Sequence, residues 1–266
     1  MAAGRFVMVA FAGWLAGCAG LGGPDAGGDA PADAAAAPPA AAPVVPQGPL
    51  APFPPDPSQR ASHGWTPWVM HVSKRPTRYR TVTLDGARVL EATADSSASG
   101  LMHPLGLDPA QRPILTWRWR IDATLADTDV GERHADDAPV RIVLGFDGDK
   151  SALPLKEQLF LERVRLLSGQ DLPYATLMYV WDGRRAPGSV AVNANTARVR
   201  KIVVDSGAAG VRAWRAHRRD IVADFERAYG KKPGRLLAIG VMTDTDNTRQ
   251  KARSWYGDIQ LTERAP

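Results

Sequence analysis

Leu115, Trp117, Trp119 and Ile121 alternate with Thr116, Arg118, Arg120 and Asp122. A period of two, with large apolar side chains on one side and polar or charged ones on the other, specifies a β-strand with one buried face. The pattern returns where Val140, Ile142, Leu144 and Phe146 point one way and Arg141, Val143, Gly145 and Asp147 the other. Further strand-like runs occupy 80–84, 88–94, 176–181, 199–205, 236–243 and 254–262. Eight short strands separated mostly by turn signals predict a mainly β chain folded as a β-sandwich.

Two helices are expected between the strands. The first covers roughly 155–167 and stops before Gly169. In the second, Trp214, Ile221, Phe225 and Tyr229 recur at steps of seven and four, which puts them on one helical face, and Gly230 followed by Pro233 marks its end. Inserted helices of this kind cap an open end of a sandwich rather than make a second domain.

Ahead of the strands the composition is of another kind. Arg5 supplies a positive start, Phe6 to Leu15 a short apolar run, and Leu15-Ala16-Gly17-Cys18 then places the single cysteine of the chain after small residues. That run is too short for a membrane span and has the layout of an export signal. It resembles the signal of bacterial lipoproteins, which implies cleavage before Cys18, lipidation of its thiol and a permanent membrane anchor. Ala19, in place of an aspartate, implies by the same resemblance the outer membrane, with the domain facing the periplasm. Residues 1–17 are thus read as signal and 18–59 as lipidated cysteine plus tether. From Ala19 onward the tether is rich in Ala, Pro, Gly and Asp, too poor in large apolar groups to offset chain entropy. Its proline runs favour an extended spacer.

Residues 60–266 form the sandwich domain in this reading. Arg5 against Asp25, Asp29, Asp33 and Asp56 leaves residues 1–59 with three net negative charges, so a total of +5 gives the domain +8. Such a charge favours anionic envelope polysaccharide or acidic lipid. The envelope compartment excludes nucleic acid. With no cysteine after Cys18, disulfides, thiol catalysis and thiolate metal sites are excluded as well. The five histidines lack metal spacing, and neither a phosphate-binding glycine loop nor a nucleophile elbow is present.

Three constellations carry candidate chemistry. Asp244-Thr245-Asp246-Asn247-Thr248 crowds oxygen ligands suited to a structural calcium, though without the glycine and distal glutamate of an EF-hand, so it needs a distant ligand such as Asp258 or Asp136. The competing reading is a turn whose Asp and Asn side chains cap their own backbone. Asp136 and Asp137, entering the Val140 strand, offer a general acid or base. Adjacent residues on an extended chain point apart, so either would need a partner such as Asp244 or Asp246, and an ion pair to Arg141 is the plainer alternative. Arg118, Arg120 and Arg141 would form one basic surface for sugar acids or phosphate if their strands pair. Trp181, Trp65 or Trp68 would add a stacking platform, against the alternative of buried arginines paired to Asp122 and Asp147.

The ordered segments Thr116-Trp117-Arg118-Trp119, Asp136-Asp137-Ala138-Pro139-Val140-Arg141, Tyr179-Val180-Trp181, Met242-Thr243-Asp244-Thr245-Asp246-Asn247-Thr248 and Trp255-Tyr256-Gly257-Asp258-Ile259 are similar to those of the family called domain of unknown function 3047, over about residues 64–263. That resemblance implies a domain boundary and brings no established activity. The last strand also resembles that of galactose-binding-like jelly rolls, a likeness of fold alone. The function expected from the sequence is non-catalytic binding of a carbohydrate or other envelope component. A glycan-active hydrolase using the acidic loops, and a structural partner in an envelope protein assembly, stand as alternatives.

Overall fold

The computed structural model describes residues 50–57, 64–69 and 73–264, and residues 43–266 belong to one compact unit. Residues 1–17, read as a signal, Cys18 and most of the segment read as a tether lie outside the described residues. Among the described residues no helix is long and apolar enough to cross a membrane.

Among the described residues twelve strands and two α-helices follow in chain order: β1 Thr66–Trp68, β2 Arg78–Leu84, β3 Ala87–Asp95, β4 Ala98–Leu107, β5 Ile114–Ile121, β6 Ala138–Phe146, α1 Leu155–Ser168, β7 Ala175–Asp182, β8 Val190–Val192, β9 Val199–Ser206, β10 Arg215–Asp220, α2 Ile221–Tyr229, β11 Leu236–Asp244 and β12 Lys251–Thr262. They form a two-sheet sandwich of the jelly-roll kind with two helical insertions. One sheet has seven strands in the order β1-β4-β11-β6-β7-β9-β8, the other five in the order β10-β5-β12-β3-β2. All neighbours are antiparallel except β7 and β9.

Alternation decides which side chains meet between the sheets. Leu115, Trp117, Trp119 and Ile121 of β5 face Ile142, Leu144 and Phe146 of β6 within one core. Trp117 stacks on Tyr179 of β7 at 5.0 Å. Buried polar groups tie the sheets as well. Trp119 Nε1 donates to Asp205 of β9 at 2.7 Å, and Tyr256 of β12 donates through its hydroxyl to the carbonyl of Met242 of β11 at 2.6 Å. Such bonds hold the sheets in register because an unpaired partner would stay buried.

Every residue of β6 and β7 is buried. Hence the seven-stranded sheet is covered on its outer face too, where Val143, Met178, Val180, Val203 and Met242 make a second apolar cluster.

Both helices end at a left-handed glycine, Gly169 (φ 68°) and Gly230 (φ 71°). The expected second helix, however, begins later than its spacing implied. Asp220 accepts from the backbone N–H groups of Val222 and Ala223, both at 3.1 Å, so α2 starts at Ile221. Trp214 is not part of it. Residues 215–220 pair with β5 as an edge strand, and Trp214 lies under the Arg118 guanidinium, 4.4 Å from its ring centre.

Candidate functional site: a cleft on the large sheet

The outer face of the seven-stranded sheet carries a cleft of about 890 Å³. Its floor follows from strand alternation: residues that point away from the core at Arg141 and Val143 of β6, Met178 of β7, Val199 and Lys201 of β9, and Met242 of β11. Phe160 and Leu161 of α1, Leu172 and Pro173, and Asn193 and Asn195 form its sides. Trp68 also borders it, and its Nε1 donates to Gln170 Oε1 at 2.9 Å.

A buried charge network closes one end. Arg141 makes a bidentate pair with Asp244, Nε to Oδ1 at 2.9 Å and Nη2 to Oδ2 at 3.1 Å. The same Nη2 donates to Asp136 Oδ1 at 3.0 Å. The other Asp136 oxygen pairs with Lys201, whose Nζ also donates to the Val130 carbonyl at 2.6 Å, and it accepts from Asn193 Nδ2 at 3.2 Å. Behind Arg141, its backbone N–H meets the Tyr256 hydroxyl at 3.3 Å, so the arginine is seated from the opposite sheet.

Burial and neighbouring charge divide the titrations of these groups. Burial pushes Asp244 up to about 6 despite Arg141, and the nearby Asp137 and Asp136 add to the rise. For Asp136 burial also pushes upward, but Arg141 and Lys201 together outweigh it and hold the carboxyl below its ordinary range. Burial and the Arg141 charge bring Lys201 down to about 8 against the pull of Asp136.

Asp137 has a different task. Its carboxylate accepts from the Thr248 N–H at 2.7 Å, the Thr248 hydroxyl at 2.6 Å and the Asn247 N–H at 3.2 Å, which ties the loop after β11 to the entry of β6. This fastening brings the two acidic segments together: one oxygen each of Asp137, Asp244 and Asp246 lie within 4.8 Å of one another, close enough to hold a metal ion. Their charge is already met from several sides. Arg141 covers Asp244, backbone and hydroxyl donors cover Asp137, and Lys74 pairs with Asp246.

Several sequence expectations need correction. Asp258 does not join the acidic trio. It sits at φ 53° in the irregular part of β12, between Gly257 and Gln260, and turns to Arg118 at 2.7 Å. Arg118 and Arg120 are on β5 in the five-stranded sheet and Arg141 is on β6 in the other, so they share no surface. The ion partners are also other than Asp122 and Asp147: Arg120 faces Asp85 at 3.5 Å, Arg141 faces Asp244 and Asp136, and Asp122 meets Arg212 at 3.5 Å. Trp181 and Trp65 are each 1% exposed and belong to the core, so of the three tryptophans expected as platforms only Trp68 borders the cleft.

Lys201, Asn193 and Lys74 escaped the sequence reading. Lys201 shares a strand face with Val199 and Val203, and a lysine flanked at two-residue steps by valines was the available signal of a buried cation.

With the geometry in place, comparison with known proteins adds one firm result. The sequence profile of the family described as "Protein of unknown function (DUF3047)" matches residues 63–260. The chain belongs to the DUF3047 family. No curated protein matches this DUF3047 chain in sequence. Among solved structures, it is similar to endoglucanase 3 of family GH12 from Trichoderma harzianum, at 10% identity over 75% of this chain and 90% of that one, with a TM-score of 0.39. It is also similar to TmCBM27, a carbohydrate-binding module that recognises mannan, at 10% identity over 76% and 90%, with a TM-score of 0.28. The agarase AgWH50C aligns at 10% identity over 82% of this chain and 25% of its own, with a TM-score of 0.31. Superpositions this loose carry no argument about what the DUF3047 cleft holds.

Proposed function

We propose that this DUF3047 protein is a lipid-anchored protein of the bacterial envelope, held through Cys18 at the outer membrane and facing the periplasm, and that its sandwich binds a carbohydrate or related envelope component in the cleft without converting it. The observation that carries the binding reading is the cleft itself, an apolar floor of Val143, Met178 and Met242 beside amide, carboxylate and guanidinium groups of Asn193, Asn195, Asn247, Asp246, Arg133 and Arg198. Sugar rings present the same combination, apolar C–H faces edged by hydroxyls that need donors and acceptors. The anchor and its location rest on the Cys18 segment alone.

Binding without turnover is favoured by how the acids are held. Asp136 and Asp244 share Arg141 Nη2, and both oxygens of Asp244 are engaged by that guanidinium. A glycosidase acid must reach the glycosidic oxygen, which a carboxylate clamped in this way does not do. The hydrolase reading keeps one favourable observation, the separation of the Asp244 and Asp136 titrations. Calcium would find three carboxylates in the trio, but it would compete with Lys74 for Asp246.

Binding of the chain to arrayed bacterial envelope glycans, with calcium and with chelator, tests this reading. Specific binding is expected, weakened about tenfold or more by the pair Asn193→Ala and Arg133→Ala, the loss of two polar contacts. Absence of binding to every glycan, or binding indifferent to those substitutions, overturns it. Release of product abolished by Asp244→Asn would instead establish the hydrolase.

A further inference from the structure

Large exposed apolar side chains are concentrated at one place among the described residues. Among the described residues, four of the five large exposed ones are on α1: Leu155 (68% exposed), Leu159 (60%), Leu166 (72%) and Leu167 (63%). The helix is nonetheless attached by its other side. Glu157 accepts from the Ala197 N–H at 3.1 Å and from the Thr196 hydroxyl, and Phe160 and Leu161 cover the cleft.

At 100° per residue, Leu155, Leu159 and Leu166 fall within about 40° of one another, on the side opposite Glu157 and Val164. Lys156 and Arg163 flank this crest on one side; on the other Glu162 borders it beside Leu155, with Arg165 beyond. Glu162 is the one exposed acid of the helix, and Arg165 pairs with it at 2.5 Å. An apolar ridge edged by Lys156 and Arg163, with its single acid Glu162 neutralised by Arg165, is complementary to a bilayer surface, where the leucines enter the acyl boundary while lysine and arginine meet phosphates. Four leucines on one helix offer a few hundred Å², about half of the ~800 Å² per partner that a stable protein interface buries. The net positive charge of the domain adds long-range attraction to the same surface.

We infer that the outer crest of α1 docks on the surface of an anionic lipid bilayer. The helix lies in the plane of the interface, and because Phe160 and Leu161 on its opposite side cover the cleft, docking sets that wall of the cleft directly behind the headgroups. This contact is independent of the Cys18 anchor and of what the cleft binds.

Residues 43–266 form a compact unit without Cys18 or the apolar N-terminal run, so vesicle binding by this unit is free of the anchor, and leucine substitutions on α1 separate its contribution from that of the domain's charge. Sedimentation with vesicles of phosphatidylglycerol and phosphatidylethanolamine is expected, with little binding to phosphatidylcholine. The pair Leu159→Asp and Leu166→Asp, both at exposed positions, should reduce the bound fraction by about tenfold or more while leaving the thermal transition in place. An environment-sensitive dye on Leu166→Cys should shift to the blue with anionic vesicles, and the same dye on Arg88→Cys, in the other sheet, should not. No sedimentation with anionic vesicles, binding unchanged in the double variant, or a dimer that the double variant dissociates in place of vesicle binding would each overturn the assignment. Glycan-array binding that survives those results would leave the cleft reading intact.

Discussion

Arg141 holds two carboxylates that would otherwise repel each other at the end of the cleft, and its guanidinium is itself almost fully enclosed, 3% exposed. Opposite charges in such a place are kept by geometry, because each partner is costly when left alone. The arrangement has a pH signature. Asp244 titrates near 6 in the folded protein, against about 3.9 in an unfolded chain. As pH rises past 4 the unfolded chain ionises this group first, so the group takes stability away between about pH 4 and 6 and no more above that. The loss is on the order of 3 kcal/mol. Asp244→Asn removes the titrating group. Other carboxylates and His103, held below their ordinary values, act in the opposite sense, so the quantity to follow is the difference between the two proteins: denaturant unfolding across pH 4 to 7 should show the parent losing stability relative to the variant as pH rises, and parallel curves would mean that Asp244 does not titrate in this window.

At the scale of elements, what the sequence disclosed depended on whether local pattern and tertiary role agreed. The β5 and β6 alternations were readable because one face of each strand meets the main core, and α1 was readable to within a residue because Gly169 ends it. β4 was hidden by Gly100, Pro104 and Gly106, residues that weaken strand propensity. The fold tolerates Pro104 because β1 pairs only with residues 100–102, so the missing N–H falls beyond the end of that pairing. β10 was hidden because Arg215–Asp220 is an edge strand almost without apolar groups. The site was legible in part. The two acidic segments meet, but the partners of Arg118, Arg120 and Asp258 depend on which strand belongs to which sheet, and that is not a local property. The cap that separates β10 from α2 gives a direct check. Asp220→Ala should cost about 1 kcal/mol, measured by denaturant unfolding, whereas no change would mean that the two backbone N–H groups find other acceptors.

For the whole molecule, the order of strands in space matters more than their order in the chain. β11 lies between β4 and β6 in the large sheet, and β12 between β5 and β3 in the small one. Tyr256 of β12 also joins the sheets at the back of Arg141. Ending the chain before Lys251 would therefore leave β5 and β3 without a common neighbour and Arg141 without its support. The truncated protein is expected to show no cooperative thermal transition in calorimetry, and a sharp transition would show that the seven-stranded sheet stands by itself.

Because β11 is interior to the large sheet and β12 to the small one, and both follow all their sheet neighbours in the chain, neither sheet can close before these two strands have left the ribosome. A nascent chain of this topology keeps both sheets open until residue 262 is available, and any chaperone that acts on it has that interval in which to do so.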